Sequence, residues 1–463
     1  MTAPLWTAEE LRAATGGTCP DGLTVTAVGI DSRAAAPGEL FVALRDARDG
    51  HDFAADALAR GAAAAMVDRD PPGVAPDAPL LRVADTLRGL QALGAAGRAR
   101  SAARIAAITG SVGKTTTKEM LRHGLSALAP THAAAASYNN HWGLPLTLAR
   151  MPRKAAYGVL EIGMNHRGEI APLARLARPH VAAITTVEAA HIGHLGSIEE
   201  IAEEKADIME GLAPGSTVVL PRDSAMFGLL AARAEKAGLR ICGFGGSAEA
   251  EARLLSYEGG AEDGLAEIGF AGARHRLRLA APGRHLALNA TAALAVAAAL
   301  GADPAAFAAA LEGFRPGAGR GGRITLDLPG GTALLIDDSY NGQPPAVRAG
   351  LGVLAAQRGT RRIAVLGDMR ELGEYGPALH AGLLPDVLAA ADVVFCCGAL
   401  MRGLFDALPE DRRGAHRESS DELAPLVRQA VRPGDVILVK GSLASRMAVV
   451  VRALTSAREG AHS

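Results

Sequence analysis

Lysine is scarce in this chain: of 48 Lys plus Arg residues only six are lysines, Lys114, Lys118, Lys154, Lys205, Lys236 and Lys440. A sequence that defaults to arginine keeps lysine where a compact ammonium or a reactive amine is wanted. An excess of one charge sign is missing too, with a formal net charge of -1 and a pI near 6.9. That excludes a protein that coats nucleic acid or anionic lipid, so no nucleic-acid partner is expected. The four cysteines, Cys19, Cys242, Cys396 and Cys397, show no metal-ligand spacing, and two are adjacent in "ADVVFCCG". They read as buried free thiols of a reducing compartment. Long apolar runs are absent: "ALNATAALAVAAAL" is mostly alanine, interrupted by Asn289 and Thr291, a soluble helix rather than a membrane span. The first residues, "MTAPLWTAEELRAATGG", lack a basic region followed by an apolar one and predict a short amphipathic helix. The expected location is cytoplasmic, without stable membrane insertion.

What is present points to an α/β protein of three domains, since 463 residues exceed what one core serves. Residues 1–100 mix short apolar runs ("LTVTAVGI", "GELFVAL", "AAAAMV") with Gly/Pro/Asp turns, a small α/β unit. Over 101–315, strand-like runs ("IAAIT", "YGVLEIG", "HVAAITTV", "STVVLP") alternate with helical patterns, predicting a mostly parallel sheet of ATPase size. A glycine-rich hinge, "FRPGAGRGGR", leads into 316–463. There "TALLIDD", "RRIAVLGD", "ADVVFCCG" and "DVILVKGS" predict a Rossmann-like domain without a G-x-G-x-x-G, so dinucleotide binding is not supported.

The most informative stretch is "AAITGSVGKTTTKEM". An apolar strand runs into a glycine-rich turn and then an amphipathic helix. Gly110, Ser111, Val112 and Gly113 would curl their backbone N–H groups around a polyphosphate, and Lys114 would reach its β/γ oxygens. Thr115 would ligate Mg²⁺, and Thr116 continues the hydroxylic run at the helix start. The match to G-x-x-x-x-G-K-[ST] is incomplete because Ile108 stands where the first glycine belongs. A phosphate cradle alone does not reveal the reaction, because kinases, transporters, ligases and regulators all use one.

Glu161 closes the strand "YGVLEIG", placing a carboxylate at the sheet's C-terminal edge, where Mg²⁺ coordination wants one. His191 and His194 follow another strand end. The next helix opens with Ser197-x-x-Glu200, a capping-box pattern. Lys205 falls on that helix's apolar stripe of Ile198, Ile201, Ala202, Ile208 and Met209, so it must snorkel, pair or be chemically changed.

These residues together resemble the Mur ligases, ATP-dependent amide-forming enzymes of peptidoglycan precursor synthesis. The resemblance rests on "DSRAAAPGELFVAL" and "DGHDF", then "TGSVGKTTTKEM", "NNHWGLPLTL", "EIGMN", "AHIGHLGSIEEIAEEKADI" and "GRHLALN", and finally "GRGGR", "IDDSYNGQP", "LGDMRELG" and "VKGS". "IDDSYN" and "GDMRELG" look specific to the branch that joins D-alanyl-D-alanine to UDP-N-acetylmuramoyl-tripeptide. The D-N-P-R signature of the diaminopimelate- or lysine-adding branch is absent.

The resemblance implies ATP and two Mg²⁺ ions, a carbamylated lysine at Lys205, and a metal set of Thr115, Glu161, His191 and Lys205. Lys114, Lys205, His191 and Arg320 would be catalytic. Asn289 would meet the adenine, Arg320 the phosphates and Asp337 the ribose. Ser32 and Arg33 would lie at the uridine nucleotide, with Asn140, Tyr340, Asn341 and Lys440 at the substrates. The implied partners are these two small molecules, and a monomer is expected. Departures from the family pattern are Leu286 in "HLALN", Thr186 and Glu188 in "TTVEAAH", and Gly342 and Gln343 in "SYNGQP". The rival readings are another Mur-type amino-acid ligase or a P-loop ATPase regulator.

Overall fold

A computed structural model describes residues 4–134, 137–190 and 192–456. Among them no helix is long and apolar enough to cross a membrane. The architecture is three α/β lobes. The first is built on a four-stranded parallel sheet, Ala27–Gly29, Glu39–Val42, Ala64–Val67 and Leu80–Arg82. The expected N-terminal helix is Ala8–Thr15; Thr7 and Glu10 form its capping box and Gly16, at φ +65°, ends it.

The middle lobe carries a nine-stranded sheet. Six strands are parallel, in the order Arg240–Gly245, Thr217–Pro221, Val181–Ile184, Arg104–Thr109, Tyr157–Glu161, Thr131–Ala133. Strand Arg104–Thr109, the first of these in the chain, has later strands on both sides, a switch point where ligands gather at the C-terminal edge. Its interior residues are buried because helices cover both faces, and the strands accordingly read as continuous apolar runs. Lys114–Ser126 and Arg284–Ala299 cover one face, Gly143–Ala149 and Ile198–Ala206 the other. The sheet is extended by Ala252–Gly259, Gly264–Phe270 and Ala273–Leu279, the last two added antiparallel.

The third lobe holds a six-stranded sheet ordered Gly322–Leu328, Gly331–Asp338, Asp435–Lys440, Arg361–Gly367, Val393–Cys397, Arg413–Arg417, parallel except for its first strand. The four cysteines are free thiols; Cys396 and Cys397 are buried, and burial raises the Cys397 thiol to about 11.

The lobes are packed together. Gly94 and Gly97 of helix Thr86–Ala99 lie against the backbone of helix Gly143–Ala149, where a Cβ would come within 2.8 Å of the Pro145 carbonyl oxygen and 2.3 Å of that of Leu148. The Trp6 indole N–H donates to the Ala149 carbonyl at 3.0 Å. One buried apolar cluster contains Ile192 and Leu195 from the middle lobe together with Met369 and Leu372 from the third.

Candidate active site

The glycine-rich turn leaves strand Arg104–Thr109 at Gly110, φ +147°, and enters helix Lys114–Ser126 from Gly113, φ +88°. Both glycines are required by space as well as by backbone angle. A Cβ on Gly110 would lie 2.0 Å from Thr185 Oγ1, and one on Gly113 2.6 Å from Asn289 Oδ1. The loop after strand Val181–Ile184 clamps the turn. Thr185 Oγ1 donates to the Val112 carbonyl (2.6 Å), Thr186 Oγ1 accepts from the Val112 N–H (3.0 Å), and Ser111 Oγ bonds both the N–H and the carbonyl of Glu188 (2.9 Å each). Thus Thr186 and the Glu188 backbone, noted above as departures, fix the shape of the turn.

Lys114 curls back: its ammonium donates to the carbonyls of Gly110 (2.6 Å) and Ser111 (3.3 Å). Desolvation lowers its pKa, opposed by the carboxylate of Glu161. Glu161 accepts from Thr115 Oγ1 (2.9 Å) and from Asn139 Nδ2 (2.8 Å). This sequence therefore brings Lys114, Thr115 and Glu161 to one point at the end of the sheet.

Lys205 is 1% exposed, so it neither snorkels nor, among the described residues, makes an ion pair. Its neighbour Glu204 is occupied elsewhere, accepting the N–H groups of Gly168, Glu169 and Ile170 at the start of helix Ile170–Ala177. Desolvation, reinforced by the like charge of Lys114, holds the Lys205 amine well below its usual pKa. His191 lies outside the described residues. Ser197 does cap helix Ile198–Ala206 through the Glu200 N–H (3.1 Å), while Glu200 pairs with Arg167 instead of closing the box.

Across a cleft stands the third lobe. The Arg320 guanidinium stacks over the Tyr340 ring, 4.5 Å from its centroid, and Nη2 reaches Ser137 Oγ at 3.4 Å. Two cavities meet at Arg320. One, of about 370 Å³, is lined by Gly113, Thr116, Leu286 and Asn289 on the middle lobe and by Asp338, Asn341 and Lys440 on the third. The other, of about 510 Å³, lies between Lys114, Thr115, Asn139 and Glu161 on one wall and Tyr340, Asn341, Arg370 and Leu443 on the other. Leu286 is buried in the apolar cluster, so that side of the first cavity is apolar.

Other expected residues fall differently. Asp337 does not line either cavity; it accepts from Ser339 Oγ (2.6 Å) and the Gly319 N–H (3.2 Å) and shapes the loop. Its neighbour Asp338 faces the first cavity and pairs with Lys440 at 2.6 Å, because adjacent residues of a strand point to opposite faces. Asn140 is likewise displaced from its expected role: its side chain accepts the Gly143 N–H (2.9 Å) at the start of helix Gly143–Ala149, and Asn139 is the one on Glu161. Lys440 lines the first cavity rather than the second. Gly342 packs against the Ser442 N–H, where a Cβ would lie at 2.2 Å, and Gln343 Nε2 donates to the Arg370 carbonyl at 3.4 Å. Ser32 and Arg33 stay in the first lobe, away from both cavities, with the exposed Arg33 in a two-point ion pair with Asp31. Among the described residues no cluster of three or more His, Cys, Asp or Glu is placed to hold a metal ion; of the expected ligands, Thr115 and Glu161 stand together.

Three family profiles match the chain: "Mur ligase family, catalytic domain" over residues 24–98, "Mur ligase middle domain" over 108–297, and "Mur ligase, glutamate ligase domain" over 322–443. The chain is 34% identical over 450 residues to a UDP-N-acetylmuramoyl-tripeptide--D-alanyl-D-alanine ligase of a Synechocystis species, covering 92% of this chain and 90% of that protein. Among solved structures it resembles MurF from Acinetobacter baumannii, with a TM-score of 0.85, 30% identity and coverage of 98% and 99% of the two chains. MurF ligase from Thermotoga maritima in complex with ADP gives 0.75, 26%, and 93% and 97%.

Proposed function

The chain belongs to the Mur ligase family, and from that premise we propose that it joins D-alanyl-D-alanine to UDP-N-acetylmuramoyl-tripeptide in an ATP-dependent, ADP-forming reaction of peptidoglycan precursor synthesis. The observation that carries this reading is the meeting of Lys114, Thr115 and Glu161 with Arg320 from another lobe around adjoining cavities. We read the lobes as a UDP-substrate domain (1–100), an ATP domain (101–315) and a C-terminal domain (316–463) that receives the dipeptide, working in the cytoplasm.

A carboxylate does not acylate an amine at neutral pH, since oxide is a hopeless leaving group. The tripeptide carboxylate attacks the γ-phosphorus of ATP, releasing ADP and leaving an acyl phosphate. The dipeptide amine, having lost its proton, adds to the acyl carbon; the tetrahedral intermediate expels phosphate and leaves the amide. The obstacle is the approach of two anions, which Lys114 and Arg320 oppose from both walls of the cleft. The glycine-rich turn positions the polyphosphate with backbone N–H groups, Asn289 and Asp338 flank the nucleoside, and closure of the cleft excludes the water that would hydrolyse the acyl phosphate.

The residues present fit a divalent cation: Thr115 and Glu161 offer oxygens, and a carbamate on Lys205 would add an anion beside Lys114. Mg²⁺, two ions by the family resemblance, would be held by these groups and would supply charge neutralisation on the migrating phosphoryl group. Burial shifts Lys205 toward the neutral amine, the form that captures CO₂. The test is stoichiometry: ADP release must require both UDP-muramoyl-tripeptide and D-alanyl-D-alanine and match product one to one. ADP release at full rate without the dipeptide would refute the ligase in favour of an ATPase regulator.

A further inference from the structure

The dipeptide is a zwitterion, and nothing above says what receives its carboxylate. We infer that Arg370, with Leu443 beside it on the same wall, is the specificity residue that binds the terminal carboxylate of the incoming dipeptide. The inference rests on the proposed reaction. That reaction fixes a direction: the acyl phosphate forms at the wall bearing Lys114 and Glu161, so the amine points there and the far end of the dipeptide meets the opposite wall of the 510 Å³ cavity.

Three cationic side chains line this cavity among the described residues, Lys114, Arg320 and Arg370. Lys114 belongs to the phosphates. Arg320 is committed by its stacking on Tyr340 and its reach to Ser137 beneath the turn. Arg370 is unspent. Its side chain is 54% exposed and, among the described residues, its one ion-pair partner, Asp368, lies at 3.7 Å, beyond the 2.7–2.9 Å of a charge-assisted hydrogen bond. Asp368 itself is tied to the Met401 N–H at 2.9 Å. The Arg370 backbone, in contrast, is fixed: Gln343 Nε2 donates to its carbonyl, and Glu371, at φ +68°, has its own carbonyl bound by the Gly193 N–H (3.2 Å). An anchored backbone carrying a loosely paired, half-exposed guanidinium suits two-point recognition of a carboxylate. Leu443, 63% exposed, is the most exposed large apolar side chain described and offers the terminal methyl group a surface.

The test compares D-alanyl-D-alanine with D-alanyl-D-alaninamide, which keeps the amine and both methyl groups but not the charge. Ligation of D-alanyl-D-alanine by the unaltered enzyme tests the proposed function separately. Given that activity, R370A should raise the KM for the dipeptide roughly 10- to 100-fold, the scale of one charged hydrogen-bonded pair. The KM for ATP should hold, the preference for acid over amide should collapse toward one, and R370K should fall between. If R370A keeps the original acid-over-amide preference, or loses turnover equally on both dipeptides, Arg370 does not read the carboxylate and the inference fails.

Discussion

Replacing Lys205 tests the chemistry of the site most sharply. An ammonium 1% exposed, with the like charge of Lys114 acting on it, is held at high cost, so its proton is lost at a lower pH than in solution. The unfolded chain titrates this lysine near 10.5, whereas the folded chain does so well below. Unfolding therefore takes up a proton between those two values. Without CO₂, stability should rise with pH across that window by about 1.4 kcal/mol per unit; the penalty is complete below the folded value and gone above the unfolded one. Carbamate formation reverses the sign of the charge: the neutral amine takes CO₂, releases one proton and becomes an anion facing Lys114. For any pair of opposite charges about 4 to 6 Å apart at an effective dielectric near 20, the attraction is roughly 3 to 4 kcal/mol, or two to three powers of ten in affinity. The assay is initial-rate ADP release in CO₂-free buffer with and without bicarbonate. The unaltered enzyme should be activated, with apparent CO₂ affinity rising about tenfold per pH unit. Lys205→Ala should lose about 10- to 100-fold or more, ignore bicarbonate and recover partly with formate. A fully active alanine variant, or a parent enzyme indifferent to CO₂, would refute the reasoning.

Arg320→Ala should lower kcat well beyond any effect on ATP binding, because its partner is the migrating charge; isothermal titration beside turnover separates the two. Gly113→Ala should abolish nucleotide binding while leaving the middle lobe folded, since the added Cβ meets Asn289 at 2.6 Å in a positive-φ position; circular dichroism and ATP titration check both halves. Asp338→Asn should raise the KM for ATP by disturbing the pair with Lys440 in the first cavity, whereas Asp337→Asn should act on thermal stability through the Gly319 and Ser339 loop. Gly193→Ala should reduce kcat with ATP affinity retained, because its Cβ would lie 2.4 Å from the Gly373 N–H; equal loss of both would show that the contact is only structural.

The position of the glycine-rich turn and of Glu161, and the burial of Lys205, were legible because each depends on local spacing: glycines between a strand and a helix, an acid closing a strand, a lysine on an apolar stripe. The one-residue offsets at Asp337 and Asn140, where the neighbours Asp338 and Asn139 face the cavities, have a common cause. Two like residues stand side by side, and which one faces the site depends on strand phase and on which loop amide needs a cap, neither of which composition reveals. The three-strand extension over 252–279, antiparallel in its last two strands, carries a usable signal. In Ala273–Leu279, His275, Leu277 and Leu279 are buried while Arg274, Arg276 and Arg278 are exposed, the alternation of a half-buried strand. The seating of Gly94 and Gly97 against Pro145 and Leu148 left no comparable trace, because it joins positions some fifty residues apart and each glycine by itself reads as a tolerated helix interruption.

The contacts between the middle and third lobes bear on how the site works. The Gly193 N–H reaches the Glu371 carbonyl, Tyr375 Oη donates to the Gly196 carbonyl at 3.0 Å, and Gly193 and Gly373 touch backbone to backbone. Residues 193–196 continue the same chain segment whose Thr185, Thr186 and Glu188 clamp the phosphate turn. The neighbouring residues Arg370 and Glu371 border the cavity opposite Lys114. Residues 185–188 and 193–196 of one strand-to-helix connection are thus bonded to the glycine-rich turn and to the third lobe respectively. A single connection bonded to both walls is the place where a substitution such as Gly193→Ala would separate cleft closure from nucleotide binding.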